Sequence, residues 1–267
     1  MIDTDGFQNY LFEEEAAQNT IECYMTAIRQ FSSDYDEMTK ANLIAFKQKL
    51  IEKGLKPKSV NLRLTALLAY CKYKEIQMKI KRIKEPRMTH VDNVITSEQV
   101  ETLLNGLKAD GREWWYVNIL MLAKTGMRIS EALRVTKKDV LSGSVTMQTK
   151  AHMRTIYFPK SLVDDIRGYL DNLNNTDTVI RCGDGKPMTS RGFAEGLKRY
   201  AKLYDIPREV MHPHAFRHFF AIEFLKRNNN ISLLADILGH SDVKMTQLYL
   251  RNSQEQQQDA VDKAVNW

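Results

Sequence analysis

The stretch Ser142–Phe158, SGSVTMQTKAHMRTIYF, is the one place where this chain leaves a helical pattern. Apolar residues alternate on both arms, Val145 and Met147 before the tip and Ile156 and Phe158 after it, with Lys150, Ala151 and His152 between them. Alternation at period two on either side of a short polar tip predicts a β-hairpin. The other periodic segments carry apolar residues at helical spacing, so the fold expected is mainly α with a small β-hairpin.

Downstream of the hairpin, helical patterns run over Ser161–Leu173, Ser190–Leu203, His214–Arg227 and Ile231–Leu238. Upstream, Trp114–Lys124 is apolar enough to be a buried helix, and Ser97 with Glu98 and Val100 opens another before it. Lys79–Val91 is rich in lysine and arginine, contains Pro86 and has no regular apolar period, which predicts a linker. Four helices are expected before it. Phe7–Glu15 is short and acid-rich. A second helix, capped by Asn19 or Thr20, carries Ile21, Tyr24, Ile28 and Phe31. A third, opened by Thr39 or Asn42 and stopped by Gly54, carries Leu43, Phe46, Leu50 and Ile51. Ser59 caps a fourth with Val60, Leu64, Leu67, Leu68 and Cys71. A chain of 267 residues can bury two cores. The expected division is a four-helix domain over 1–80, a basic linker over 81–94 and a larger mixed α/β domain over 95–267.

No apolar stretch reaches membrane-spanning length, and MIDTDGFQNY lacks the basic start and apolar run of a signal peptide, so a cytoplasmic protein is expected. Cys23, Cys71 and Cys182 lie far apart with no clustered ligand spacing, which predicts ordinary buried thiols rather than a disulfide framework or a zinc site. The formal charge of +6 says less than its distribution. Acidic residues dominate from Asp3 to Glu37, and basic ones from Lys40 to Arg87. A basic block of this kind suits a phosphate backbone, with Lys56, Lys58, Arg63, Lys72, Lys81, Arg82 and Lys84 as candidate contacts. Solvated helix faces would account for it equally well.

Five segments of the second domain carry candidate chemistry: TGMRISE (125–131), TKAHMR (149–154), HAFRH (214–218), LGHSD (238–242) and QLYLR (247–251). Each alone has an ordinary explanation. Arg128 and Glu131 suit an i, i+3 surface pair, and Tyr249 suits half-buried packing. His214, Arg217 and His218 share one helix face by spacing, as capping groups or metal ligands would.

Taken in order and at their separations, the five resemble the tyrosine recombinase (phage integrase) family. The family's R-x-x-E/D is matched by Arg128 and Glu131, its hairpin lysine by Lys150, and its H-x-x-R helix by His214 and Arg217. Its L-G-H turn is matched by His240, and its nucleophile, nine residues further on, by Tyr249. TKAHMR lacks the glycines of the family's G-K-G-N-K-E-R, and His212 and His218 stand outside its pattern. QNTIECYMTAIRQF and GLKPKSVNLRLTALLAYCKY are similar to the core-binding helices of simple, Xer-like members, so the resemblance covers nearly the whole chain.

The resemblance implies a SAM-like core-binding domain and a catalytic domain that cleaves and rejoins DNA through a 3′-phosphotyrosine on Tyr249. Phosphoryl transfer develops negative charge on non-bridging oxygens, and the planar forks of Arg128 and Arg217 are suited to stabilise it. Lys150 would protonate the leaving oxygen. His214 and His240 would bond the phosphate, with His214 also a candidate to accept the tyrosine proton, and Glu131 would hold Arg128 or a histidine in place. Such a set calls for no metal or cofactor. The implied partner is double-stranded DNA with inverted-repeat core sites. It would be bound by a homotetramer that is a monomer or weak dimer when free, with the tail Asn252–Trp267 packed on a neighbouring subunit. The expected setting is the bacterial nucleoid, in integration, excision or inversion of a mobile element. Chromosome dimer resolution, nicking and closing without synapsis, and DNA binding with a vestigial site are the alternatives.

Overall fold

A computed structural model describes residues 2–85, 94–148, 153–239, 246, 249 and 262–265. The chain divides into two compact units, Met1–Arg87 and Met88–Trp267.

The first unit holds α1 (Thr4–Glu13), α2 (Gln18–Ser32), α3 (Lys40–Glu52) and α4 (Pro57–Tyr73). The apolar stripes meet in a core of Phe7, Ile28, Phe31, Leu43, Phe46, Leu64 and Leu67, each with essentially no exposure. Burial of side chains this size stabilises by roughly 1.5–3 kcal/mol apiece. Helix starts differ from expectation where local chemistry outweighs the pattern. Asp3 caps α1 by accepting from the Gly6 N–H at 2.9 Å, so this helix begins before Phe7. Ala17 precedes α2 in extended conformation without a side-chain cap. Proline's fixed φ suits the first turn of a helix, and α4 accordingly begins at Pro57 instead of after Ser59. Thr39 caps α3 as expected.

The first part of the expected linker belongs to this unit. Met78, Ile80 and Ile83 pack on its core. Asn61, on α4, accepts from the Ile83 N–H and donates to the Ile83 carbonyl, both at 2.9 Å, and Lys47 donates to the Lys81 carbonyl at 2.8 Å. The few apolar residues here follow no regular period because chain without helical structure is being tied down.

The second unit is helical around one two-stranded sheet. It contains α5 (Ser97–Ala109), α6 (Glu113–Thr125), α7 (Ile129–Ala132), α8 (Lys137–Leu141), β1 (Ser144–Gln148), β2 (Met153–Tyr157), α9 (Lys160–Asp165), α10 (Arg167–Asp171), α11 (Ser190–Leu203), α12 (Pro213–Arg227) and α13 (Ile231–Leu238). Thr96 and Gln99 cap α5 reciprocally. Trp115, Val117 and Ile119–Leu122 make α6 the buried centre. The segment expected as one helix over 161–173 is two short ones that meet at Ile166.

The strands pair antiparallel, with Val145 opposite Ile156 and Met147 opposite Arg154, so the hairpin lies where alternation placed it. Lys150, at its tip, lies outside the described residues. Of the cysteines only Cys71 is buried, Cys23 being exposed and Cys182 half-buried, since the first lies on a solvent face of α2. Among the described residues no helix is long and apolar enough to cross a membrane.

Candidate active site

Helix α6 is stopped by Gly126 in the left-handed region, φ +60°, where a side chain would also meet the Phe220 ring. The chain then turns so that Arg128 stands extended at the entry to α7. Glu131, three residues on and almost wholly buried, reaches back: Oε2 accepts from the Arg128 N–H at 2.7 Å, and Oε1 accepts from the Arg128 guanidinium at 3.1 Å. A helix-entry carboxylate is held by exactly this kind of back-bond, so the R-x-x-E spacing fixes its own first turn. The remaining fork of Arg128 donates to the Gly239 carbonyl at 3.3 Å.

Arg217 comes from α12 and is 1% exposed. Its Nη1 donates to the Gly126 carbonyl at 2.9 Å and its Nη2 to the Leu238 carbonyl at 2.5 Å. Two arginines distant in sequence therefore converge on adjacent peptide oxygens at the end of α13. Burial first, then the guanidiniums of Arg154 and Arg128, push the Arg217 pKa down from the ordinary arginine value. A guanidinium still keeps its proton at neutral pH, so the site remains cationic.

A third arginine completes this framework. Arg154 faces inward from β2, 4% exposed, and its Nη1 donates to both Glu131 oxygens at 3.0 and 3.3 Å. Its stem crosses Gly239, which has φ +61° and where a Cβ would lie 2.7 Å from Arg154 Cδ. Its Nε and Nη2 are buried and have no hydrogen-bond partner among the described residues. Burial pushes its pKa down, and the Glu131 carboxylate opposes that shift.

Helix α12 starts at Pro213, with His212 as its cap accepting from the Ala215 N–H at 3.1 Å. His214 in the first turn keeps an open edge to solvent, and its ring packs edge-on against His218 with centroids 4.3 Å apart. Its pKa is lowered, chiefly because its inner side is desolvated and then because Arg217, His212 and Arg128 disfavour a further positive charge. Tyr249 packs beside Ala221, Leu225, Leu234 and Leu238. Its hydroxyl lies 2.8 Å from Nδ1 of His218. Burial raises the phenol's pKa, and the charge of Arg217 pulls it back down.

Arg128, Glu131, His214, Arg217 and Tyr249 thus belong to one connected region of the second unit, whereas Lys150 and His240 lie outside the described residues. In the first unit Lys56, Lys58, Lys72, Lys81, Arg82 and Lys84 are exposed. Lys72 is 3.8 Å from Glu14, and Arg82 donates to Thr65 Oγ1 at 3.2 Å. Arg63 is half-buried and ties α4 to α2 through Gln30. Two residues of the region, Arg154 and His218, were not among those expected to act. Alternation carried the signal for Arg154, which is two residues before inward-facing Ile156. The signal for His218 was its i+4 spacing from His214.

The sequence profile of the phage integrase family matches residues 93–256, and that of the phage integrase N-terminal SAM-like domain matches residues 4–78. Tyrosine recombinase XerA of Thermococcus kodakarensis is 27% identical over 269 residues, covering 97% of this chain and 94% of that protein. Tyrosine recombinase XerD of Haemophilus influenzae is 25% identical, covering 94% and 93%. Among solved structures, a lambda integrase dimer bound to a core site superimposes with a TM-score of 0.75 at 16% identity, covering 94% of both chains. The Tn1549 transposon integrase in complex with transposon right end DNA gives 0.74 at 19%, covering 100% of both. The fold is that of these integrases. The chain belongs to the phage integrase family and is a site-specific tyrosine recombinase.

Proposed function

We propose that Tyr249 is the nucleophile of this recombinase. Its oxygen attacks a scissile phosphodiester of duplex DNA, forming a 3′-phosphotyrosine as the bond to the 5′-oxygen breaks. Arg128 and Arg217 hold the non-bridging oxygens, exchanging peptide carbonyls for a charged acceptor that suits their planar forks better. Lys150 gives a proton to the departing 5′-oxygen, and His214 and His240 bond the phosphate. Glu131 keeps Arg128 in its rotamer. Rejoining is the same path in reverse, with a 5′-hydroxyl of the partner strand as the attacking group.

The observation that carries this is the meeting of the Arg128 and Arg217 guanidiniums at the Gly239 and Leu238 carbonyls, with Tyr249 close enough to Arg217 for its pKa to feel that charge. The basic residues Lys56, Lys58, Arg63, Lys72, Lys81, Arg82 and Lys84 supply the backbone footprint. The DNA is a pair of inverted core sites, bound in the cytoplasm by a homotetramer in which the tail 252–267 packs on a neighbour. The relatives that share the fold include enzymes solved on core-site and transposon-end DNA. Integration, excision or inversion of a mobile element is the role proposed.

The test is a nicked suicide duplex carrying the inverted repeats next to the gene, resolved on a denaturing gel. A covalent adduct is expected with the full chain, unaffected by chelator and lost in Tyr249→Phe. An adduct that survives Tyr249→Phe overturns the assignment. Tight binding with no adduct would point to a vestigial site, and relaxation of supercoils without paired sites would point to a nicking and closing enzyme.

A further inference from the structure

We infer that His218, not the histidine of the H-x-x-R pattern, is the group that accepts the Tyr249 proton during strand cleavage. It rests on Tyr249 being the nucleophile. The contact is direct: His218 Nδ1 to the Tyr249 hydroxyl is 2.8 Å, and the two rings lie 5.4 Å apart at 53°. That is within the range a general base must occupy relative to the proton it takes. His218 sits one turn along α12 from His214 and next to Arg217, so the helix that brings the phosphate clamp also sets the base.

The contact with Tyr249 separates the two histidines. Burial makes the Tyr249 hydroxyl harder to ionise, so near neutral pH the attack needs somewhere to send the proton. His214 is a poor destination: its imidazolium is disfavoured by desolvation and by Arg217, His212 and Arg128. A neutral His214 remains able to hydrogen-bond the phosphate. His218 meets the phenol on one side and the edge of His214 on the other. Of the charged groups described, Arg217, adjacent on α12, acts on Tyr249 directly. Incoming phosphate, with its negative charge, would favour an imidazolium beside it.

The step balances within the site. The Tyr249 Oη–P bond forms, the P–O5′ bond breaks, and the phenolic proton passes to Nδ1 of His218, whose other nitrogen carries the proton of the starting tautomer. Lys150 supplies the proton of the leaving 5′-hydroxyl. In religation His218 returns its proton to the departing tyrosine.

The measurement is the single-turnover rate of adduct formation on the suicide duplex across pH, for the full chain, His218→Gln and His218→Ala, with DNA affinity measured alongside. For the parent chain the rate should climb through the histidine range and then level off. In His218→Gln, which keeps a hydrogen bond to the phenol, it should drop about 10²–10⁴-fold near neutral pH and keep rising toward the tyrosine range. Added imidazole should restore part of the rate to His218→Ala and none to Tyr249→Phe. A His218→Gln rate lowered by the same factor at every pH, with no rescue of His218→Ala, would mean a packing role and overturn the inference. Unchanged rates in both variants would do the same. If the parent chain itself forms no adduct while binding DNA, it is the nucleophile assignment that fails.

Discussion

Replacing Glu131 with glutamine should cost the second unit more stability than any loss of surface charge. Glu131 is 5% exposed and faces two guanidiniums. The bond to Arg128 is worth little, about 0–1 kcal/mol, because that side chain is 40% exposed. The bond to Arg154 is different: both partners are buried, and among the described residues the Nε and Nη2 of Arg154 have no acceptor. Removing the carboxylate's charge leaves a buried guanidinium uncompensated, a loss of about 3–5 kcal/mol. For a unit the size of Met88–Trp267, that is a fall in Tm of roughly 6–20 °C. Arg154→Met should cost less, since Glu131 keeps Arg128, and Glu131→Gln with Arg154→Met should be more stable than Glu131→Gln alone, because the stranded charge is gone. Thermal unfolding followed by tryptophan fluorescence isolates this unit, as Trp114, Trp115 and Trp267 all lie in it. A Glu131→Gln variant within about 1 kcal/mol of the parent, or a double variant as unstable as the sum of the singles, would refute the reasoning.

The first unit has its own acid dependence. The Asp3 carboxyl is drawn down to about 2 by its hydrogen bond from Lys74, helped by the Gly6 N–H and Tyr73 hydroxyl. A depressed folded-state pKa contributes stability that is present above the unfolded value of about 3.8 and is lost as pH falls toward about 2. Asp3→Asn should therefore lower stability at neutral pH and flatten that acid limb, read by tyrosine near-ultraviolet circular dichroism; superimposable acid limbs would count against it. In DNA binding, Lys56→Ala with Lys58→Ala should flatten the dependence of log K on log salt by roughly 2, with the same effect on unrelated sequence. An unchanged slope would remove these two lysines from the footprint.

Much of this molecule can be read from its residues, for identifiable reasons. The ends of α11 and α13 and the position of the hairpin follow from periodicity, because each element buries one face against its neighbours. The starts of α1 and α4 do not, since Asp3 and Pro57 act through a capping bond and a fixed dihedral that an apolar count ignores. The same limit applies at the site. Residue types and order point to Arg128, Glu131, His214, Arg217 and Tyr249. They are silent on Arg154 and His218, whose parts depend on which side chain lies opposite which across folded elements. A hairpin arginine reads as solvated until pairing puts it opposite Met147. Two histidines on one helix face are equivalent until Tyr249 arrives beside one of them.

Apart from the Glu131 carboxylate beside Arg128, the seat of the two arginines is made of main-chain oxygens, those of Gly126, Leu238 and Gly239. Every residue type carries a carbonyl, so this main-chain part of the seat places no demand on the chemistry of the side chains that present it; only the left-handed turns at Gly126 and Gly239 do, through their dihedrals. Substitution can accumulate around such a mounting without loosening what is mounted on it.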